Sequence, residues 1–179
     1  MDFKKKDIVE LTRCTVKQYS EMEKLPVAVL LDNVRSMYNV GAVFRTADAF
    51  LIEKIILCGI SGIPPHPEIK KTALGAEESV KWEYHDDAVE ACRKLKEEGW
   101  KICVLEQAHN SIELQDFKTA KDEKYLLVAG NEVKGVDEKI MELADVVLEI
   151  PQHGVKHSLN VSVSVGIALW QLISNRRGE

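Results

Sequence analysis

Three polar clusters stand directly behind apolar runs, the position at which α/β proteins collect their ligand chemistry. The first, Asn39-Val40-Gly41-Ala42-Val43-Phe44-Arg45-Thr46-Ala47, offers an amide and, six residues on, a guanidinium. The second, Gly130-Asn131-Glu132-Val133-Lys134-Gly135-Val136, sets a carboxylate between two glycines. The third runs from Ile150-Pro151-Gln152-His153-Gly154 through Val155-Lys156-His157-Ser158-Leu159-Asn160 to Val163. Gly130 and Gly135 have the spacing of a phosphate loop, but Val136 and Asp137 stand where that loop needs Lys and Ser or Thr. A Gly-x-Gly-x-x-Gly dinucleotide turn is absent. His153 and His157 are four apart, yet Gly154 intervenes, no acidic residue accompanies them and Pro151 marks a loop, so no metal is expected. Cys103 lies in an apolar strand and Cys92 on an apolar helix face, settings for packing rather than for a nucleophile.

The elements that must position these clusters alternate. Residues 7–24 have few breakers and predict a helical arm that Pro26 ends. Val27–Leu31 is a continuous apolar run, the pattern of a strand covered on both faces. A polar loop, Asp32–Tyr38, leads to a helix over Asn39–Phe50, with Asn39 as a candidate N-cap. Strands are predicted at Lys54–Cys58, Val80–Tyr84, Ile102–Leu105, Tyr125–Ala129 and Val146–Ile150. Helices are predicted at Glu68–Leu74, Asp86–Glu98 and Val136–Leu143, with a Gly- and Pro-rich loop over Gly59–Pro67. The alternation predicts an α/β domain with a mostly parallel sheet. From Leu159 to Ile167 apolar residues alternate as in a strand, but the run continues through Ile173 without a turn, and its length favours a helix.

Composition bounds the rest. The chain of 179 residues carries 24 Lys+Arg and 29 Asp+Glu, a formal net charge of −5 that argues mildly against an obligate nucleic-acid binder. The charge is polarised: residues 1–75 sum to +2 and residues 76–179 to −7. Basic spots are Lys4-Lys5-Lys6, which also reads as a solvated tail, Lys70-Lys71, Arg35 and Arg45. No run is long and apolar enough to span a membrane, and no apolar run follows the N-terminal lysines as in a secretory signal. Cys14, Cys58, Cys92 and Cys103 form no Cys-x-x-Cys pair and read as buried thiols of a cytoplasmic protein.

Together, in order, the clusters resemble the SpoU (TrmH-type) branch of the SPOUT methyltransferases, RNA ribose 2′-O-methyltransferases that use S-adenosyl-L-methionine. Asn39 and Arg45 with Gly41 between them match the first motif, Gly130-x-Glu132-x-x-Gly135 the second, and Ser158-Leu159-Asn160-Val161-Ser162-Val163 the third. The resemblance covers residues 27–173. It implies a C-terminal trefoil knot with the cofactor against it, a homodimer, and a helix from about Asn160. It divides the chain into an arm, residues 1–25, and a SPOUT methyltransferase domain, residues 26–179.

By motif position the resemblance implies cofactor contacts at Gly130, Ile150 and Leu159, and at Glu106 behind the Ile102–Leu105 strand. It implies catalytic roles for Asn39, Arg45, Glu132, Ser158 and Asn160. Guanidinium hardly deprotonates, so Arg45 is expected to grip a phosphate and stabilise a developing alkoxide. Each residue also has a plain packing role open to it. Arg45 can pair with Asp48, Asn39 can cap its helix, Glu132 can pair with Lys134 or accept a proton, Ser158 can cap the final helix, and Ile150 and Leu159 can pack in the core. His157 and Ser164 depart from the residues relatives often carry at those positions. The short extensions favour tRNA over rRNA as substrate. Two alternatives stay open: a catalytically inactive RNA-binding module on the same scaffold, and a methyltransferase for a non-RNA substrate.

Overall fold

The run Leu25–Asp32 has no charged residue before its last position and becomes β1, buried from Val27 onward. The computed structural model describes residues 2–7, 10 and 14–177. Six further strands follow: β2 (Ile52–Cys58), β3 (Trp82–His85), β4 (Trp100–Leu105), β5 (Ile112–Glu113), β6 (Lys124–Ala129) and β7 (Val146–Glu149). They form a single sheet in the order β3-β2-β1-β6-β4-β7-β5. Every neighbouring pair is parallel. The expected strands are all present, within a few residues at their ends. The two-residue strand β5 and the 3-10 turn Leu114–Asp116 carry no periodicity long enough to read in the sequence.

Alternation along β1 divides the core in two. Val27, Val29 and Leu31 pack on one face with α2 (Met37–Phe50) and α7 (Val161–Arg177). Ala28 and Leu30 pack on the other with α5 (Ala88–Glu97) and α6 (Glu138–Leu143). Burial on both faces explains the unbroken apolar runs of the central strands. Of the four cysteines, Cys58, Cys92 and Cys103 are buried as expected, and burial pushes the Cys92 and Cys103 thiols up to about 12. Cys14 is exposed, contrary to expectation, because it precedes α1 outside the core.

Two other expectations are corrected. Among the described residues the arm holds only a short helix, α1 (Val16–Glu21), opened by a capping box: the Thr15 hydroxyl accepts from the Gln18 N–H and the Gln18 side chain accepts from the Thr15 N–H. Residues 8, 9 and 11–13 of the predicted helix lie outside the described residues. Nor is Asn39 the N-cap of α2. Ser36 holds that place, its Oγ accepting from the Asn39 N–H at 3.3 Å. Asn39 sits inside the first turn with its side chain free for other work.

The ambiguous C-terminal run is a helix. Val165, Ala168, Leu169, Leu172 and Ile173 are buried at helical spacing, while Val163 and Ile167 face outward. The apparent period of two arose from β-branched residues on both sides of this helix. Between β2 and β3 stand α3 (Pro67–Ala73), as expected, and a single turn, α4 (Ala76–Ser79), that was not. Among the described residues no helix is long and apolar enough to cross a membrane.

Candidate functional site

The loop behind β6 is closed by its own backbone. Asn131 N–H donates to the Gly135 carbonyl at 3.0 Å, and Gly135 N–H donates back at 2.9 Å. The Asn131 side chain accepts from the Val133 and Lys134 N–H groups and donates to the Asn33 carbonyl. This compact hairpin leaves no room at Gly130, where a Cβ would lie 2.2 Å from the Gly135 carbonyl carbon and 2.3 Å from Val136 N. Gly135 has φ +71, and a Cβ there would meet the Glu106 carboxylate. Both glycines of the second cluster are therefore required by geometry.

Glu132 projects from this hairpin to the start of α2. Its carboxylate accepts from the Arg35 and Ser36 N–H groups at 3.1 Å each and from Asn39 Nδ2 at 3.2 Å. Partial burial pushes the Glu132 carboxyl up. The hydrogen bonds from its own backbone, Arg35, Ser36 and Asn39 outweigh that and hold it below the usual carboxylate range. An ionised carboxylate only accepts, so it sets the direction of the neighbouring hydrogen bonds. Asn39 must turn its amide nitrogen to Glu132, which leaves Asn39 Oδ1 to accept from Asn160 Nδ2 at 3.0 Å. Asn160 Oδ1 then accepts from the Ser162 and Val163 N–H groups at the start of α7. One chain of hydrogen bonds thus ties the three clusters together. Lys134 takes no part in it, and Asn160 rather than Ser158 caps the final helix.

Beside this chain lies a cleft of about 570 Å³ at the C-terminal ends of β4, β6 and β7. Its lining includes Glu106, Gly130, Glu132, Ile150, Ser158, Leu159 and Asn160. Eight of the nine sequence-derived residues are thus in the cleft or, for Asn39, bonded to two residues that line it. Leu159 is 40% exposed, whereas Ile150 is part-buried and packs against the core as well as lining the cleft. Glu106 is more tied down than expected: its carboxylate accepts from the Val136 and Gln107 N–H groups. The Gln107 side chain in turn donates to the His157 carbonyl, which pins the 150–160 loop over the cleft.

Arg45 is the exception. It is exposed on α2 and does not line the cleft. Six residues along a helix of about 3.6 residues per turn place it roughly a third of a turn around the helix from the face of Asn39. Its alternative partner, Asp48, instead accepts from the Ser79 hydroxyl at 2.6 Å.

Sequence reasoning missed the residues that brace the site from behind. Asn33, at φ 55, accepts from the Ile60 N–H. Ser61 is buried, donates its hydroxyl to the Leu31 carbonyl and accepts from the Val34 N–H. Asp32 is buried and accepts from the Asp137 N–H at the start of α6; desolvation pushes its carboxyl up. The only signal for them was that Asp32 and Asn33 end an apolar run, a position that many loops share.

Residues 26–170 match the model of the SpoU rRNA Methylase family. The chain belongs to this family. Within the SpoU family it is 30% identical over 162 residues to a tRNA (guanosine(18)-2′-O)-methyltransferase of Aquifex aeolicus, covering 87% of this chain and 72% of that one. A solved structure of an A. aeolicus TrmH/SpoU tRNA modifying enzyme superposes with a TM-score of 0.80 at 28% identity, over 91% of this chain and 83% of that chain. An AdoMet-bound rRNA methyltransferase from Sinorhizobium meliloti superposes at 0.78 with 25% identity, over 89% and 60% respectively. The chain spans 61% to 81% of the length of the curated relatives it matches.

The SpoU cleft suits S-adenosylmethionine on its own geometry. Gly130, stripped of a side chain by the hairpin, leaves main chain exposed to a ligand. Leu105, Ile150 and Leu159 give an apolar lining able to hold an adenine, and the site mixes polar and apolar groups as cofactor clefts do.

Proposed function

We propose that this chain is an S-adenosylmethionine-dependent methyltransferase that methylates a ribose 2′-hydroxyl in structured RNA, with tRNA as the first substrate to test. The observation that carries the proposal is the hydrogen-bond chain from Glu132 through Asn39 to Asn160, joined to a cleft that fits the cofactor. Family membership and the named activities of the relatives support it.

When bound, S-adenosylmethionine supplies a sulfonium methyl that needs no further activation. The protein's task is then orientation and charge stabilisation. Gly130, Ile150 and Leu159, with Glu106 behind them, shape the cofactor side of the cleft. Glu132, with N–H donors on both oxygens, orients Asn39 and is a weak base, so the 2′-hydroxyl proton passes to solvent. Asn39, buried behind the cleft, fixes the orientation of the Asn160 amide that lines it, and Ser158 stands in the same lining. Arg45, exposed and off the cleft, grips an RNA phosphate beside the reacting ribose and so helps to hold the substrate in place.

The remaining expectations belong to the same proposal. Residues 26–179 are the methyltransferase domain and residues 1–25 an arm, in line with a family match that begins at residue 26. The 150–160 loop, pinned by Gln107 and leading into α7, is the segment expected to be tucked into a trefoil knot. A homodimer is favoured by the outward apolar side chains of α7, Val163, Ile167 and Trp170. The enzyme is expected in the cytoplasm, with no metal.

The test is incubation with methyl-labelled cofactor and unmodified tRNA or rRNA, followed by digestion to nucleosides. Label on a ribose is expected. Label only on a base, or on the protein, overturns the proposal, and absence of cofactor binding by calorimetry favours the inactive RNA-binding module.

A further inference from the structure

A second, independent feature sits beside the hydrogen-bond chain. Tyr38 directly precedes Asn39 in the first turn of α2 and is 43% exposed, although its neighbours Asn39 and Val40 are buried. One cation lies at its ring. Lys71 Nζ lies 6.0 Å from the ring centroid, and Lys70, on the same short helix α3, and Arg35, in the loop before α2, are both exposed. This arrangement is fixed by backbone packing. The Thr72 hydroxyl donates to the Tyr38 carbonyl at 2.9 Å. At Gly41 a Cβ would lie 2.2 Å from Thr72 Oγ1 and 2.3 Å from the Ile69 carbonyl oxygen, so α3 packs this close only because α2 has no side chain there. The first turn of α2 is therefore locked on one side to Glu132 and on the other to α3.

We propose that Tyr38, with Lys71 at its ring, is a stacking platform for an unpaired RNA base next to the methylated nucleotide, and so a specificity-determining residue of the substrate site. The platform presupposes the RNA methyltransferase activity proposed above. Proteins recognise single-stranded RNA by stacking splayed bases on aromatic rings, with basic side chains on the adjoining phosphates. An exposed tyrosine with a lysine at its ring, one residue from Asn39, meets both demands. A protein partner is the less suited occupant, since protein interfaces deplete lysine at their centre and this ring has a lysine beside it.

The test compares Tyr38→Phe, Tyr38→Leu and Lys71→Met with the wild type, using unmodified tRNA and rRNA transcripts. Methylation kinetics, RNA binding by fluorescence anisotropy and sedimentation velocity are read together. Tyr38→Leu is expected to raise KM and the RNA Kd about tenfold or more, with a much smaller change in kcat and unchanged calorimetric affinity for S-adenosylmethionine. Tyr38→Phe, which keeps the ring, is expected to stay within about twofold, and Lys71→Met to lose about threefold in RNA affinity. Equal behaviour of Leu and Phe at position 38 overturns the platform, as does loss of oligomeric state in Tyr38→Leu, which would make the ring a protein contact. If the wild type neither binds nor methylates any RNA, the underlying activity is wrong, and that result is distinguishable from failure of the platform alone.

Discussion

At the scale of single residues, the site is rigid because its polar groups leave each other few choices. Gly130 shows how little slack remains. A methyl group there would meet the backbone of Gly135 and Val136, which cannot rotate away as a side chain could. Gly130→Ala is expected to cost about 1–3 kcal/mol, the range for overpacking a filled site. Cofactor affinity should also fall by at least tenfold, because relief requires the hairpin to shift. Thermal melts and calorimetry check both, and a variant with wild-type melting and affinity would show that the hairpin yields. Glu132 gives a prediction with a sign. Its folded carboxyl lies below the usual range. Its ionisation therefore adds stability above the unfolded value of about 4.3, and that contribution is lost as pH falls through the lower folded value. Wild type should out-melt Glu132→Gln by a steady margin from pH 8 to pH 6, and the margin should close below about pH 4. A margin that persists unchanged into acid would mean that charge is not the source. Types and spacing singled out residues that the structure brings together at the cleft, because they form motifs. They did not show Arg45 standing apart from Asn39, since a linear motif hides the turn of the helix between them.

At the scale of elements, α7 carries two duties at one residue. Asn160 caps the helix with its Oδ1 and holds Asn39 with its Nδ2. The two duties can be separated. Asn160→Ala removes both and is expected to cost about 1 kcal/mol through the cap along with most of the activity. Asn160→Asp keeps a good capping acceptor at a helix N-terminus, where negative charge is favoured, but sets an oxygen against Asn39 Oδ1. It should therefore melt within a few degrees of wild type and still lose kcat by at least tenfold. If Asn160→Asp retains full activity, the link to Asn39 is dispensable. Strands and long helices were legible because their burial is regular: β1 is covered on both faces and reads as an unbroken apolar run, and α5 shows a clean stripe from Ala88 to Leu95. The start of α2 was misplaced because Ser36 and Asn39 are both good capping residues, and only the demand of Glu132 on the Asn39 side chain decides between them. The short elements α4 and β5 have too few residues to show a period at all.

At the scale of the whole molecule, what the chain leaves uncovered is as informative as its core. Val163, Ile167 and Trp170 are 50%, 41% and 63% exposed on one face of α7, and the Trp170 ring lies 6.0 Å from that of Phe50 on α2. An apolar face of this kind, continuous across two packed helices, is the surface a second copy would cover in the proposed homodimer. The exposed Arg35, Arg45, Lys70 and Lys71 belong to the half of the chain that carries +2, on a body whose total is −5. A single copy offers RNA a small basic patch, and a dimer offers two. Ile167→Glu places a charge at the centre of the apolar face without touching the cleft or the core, so the folded chain should survive it. It is expected to sediment as a monomer where the wild type sediments as a dimer, with a melting temperature lowered only by the lost association. RNA affinity of the variant should fall, and the slope of its logarithm against log salt should shrink, because fewer phosphates are neutralised per complex. A wild type that is itself monomeric at micromolar concentration would remove the basis for this face as an interface. A monomeric variant with the salt slope of the wild type would show that one copy alone supplies the whole RNA-binding surface.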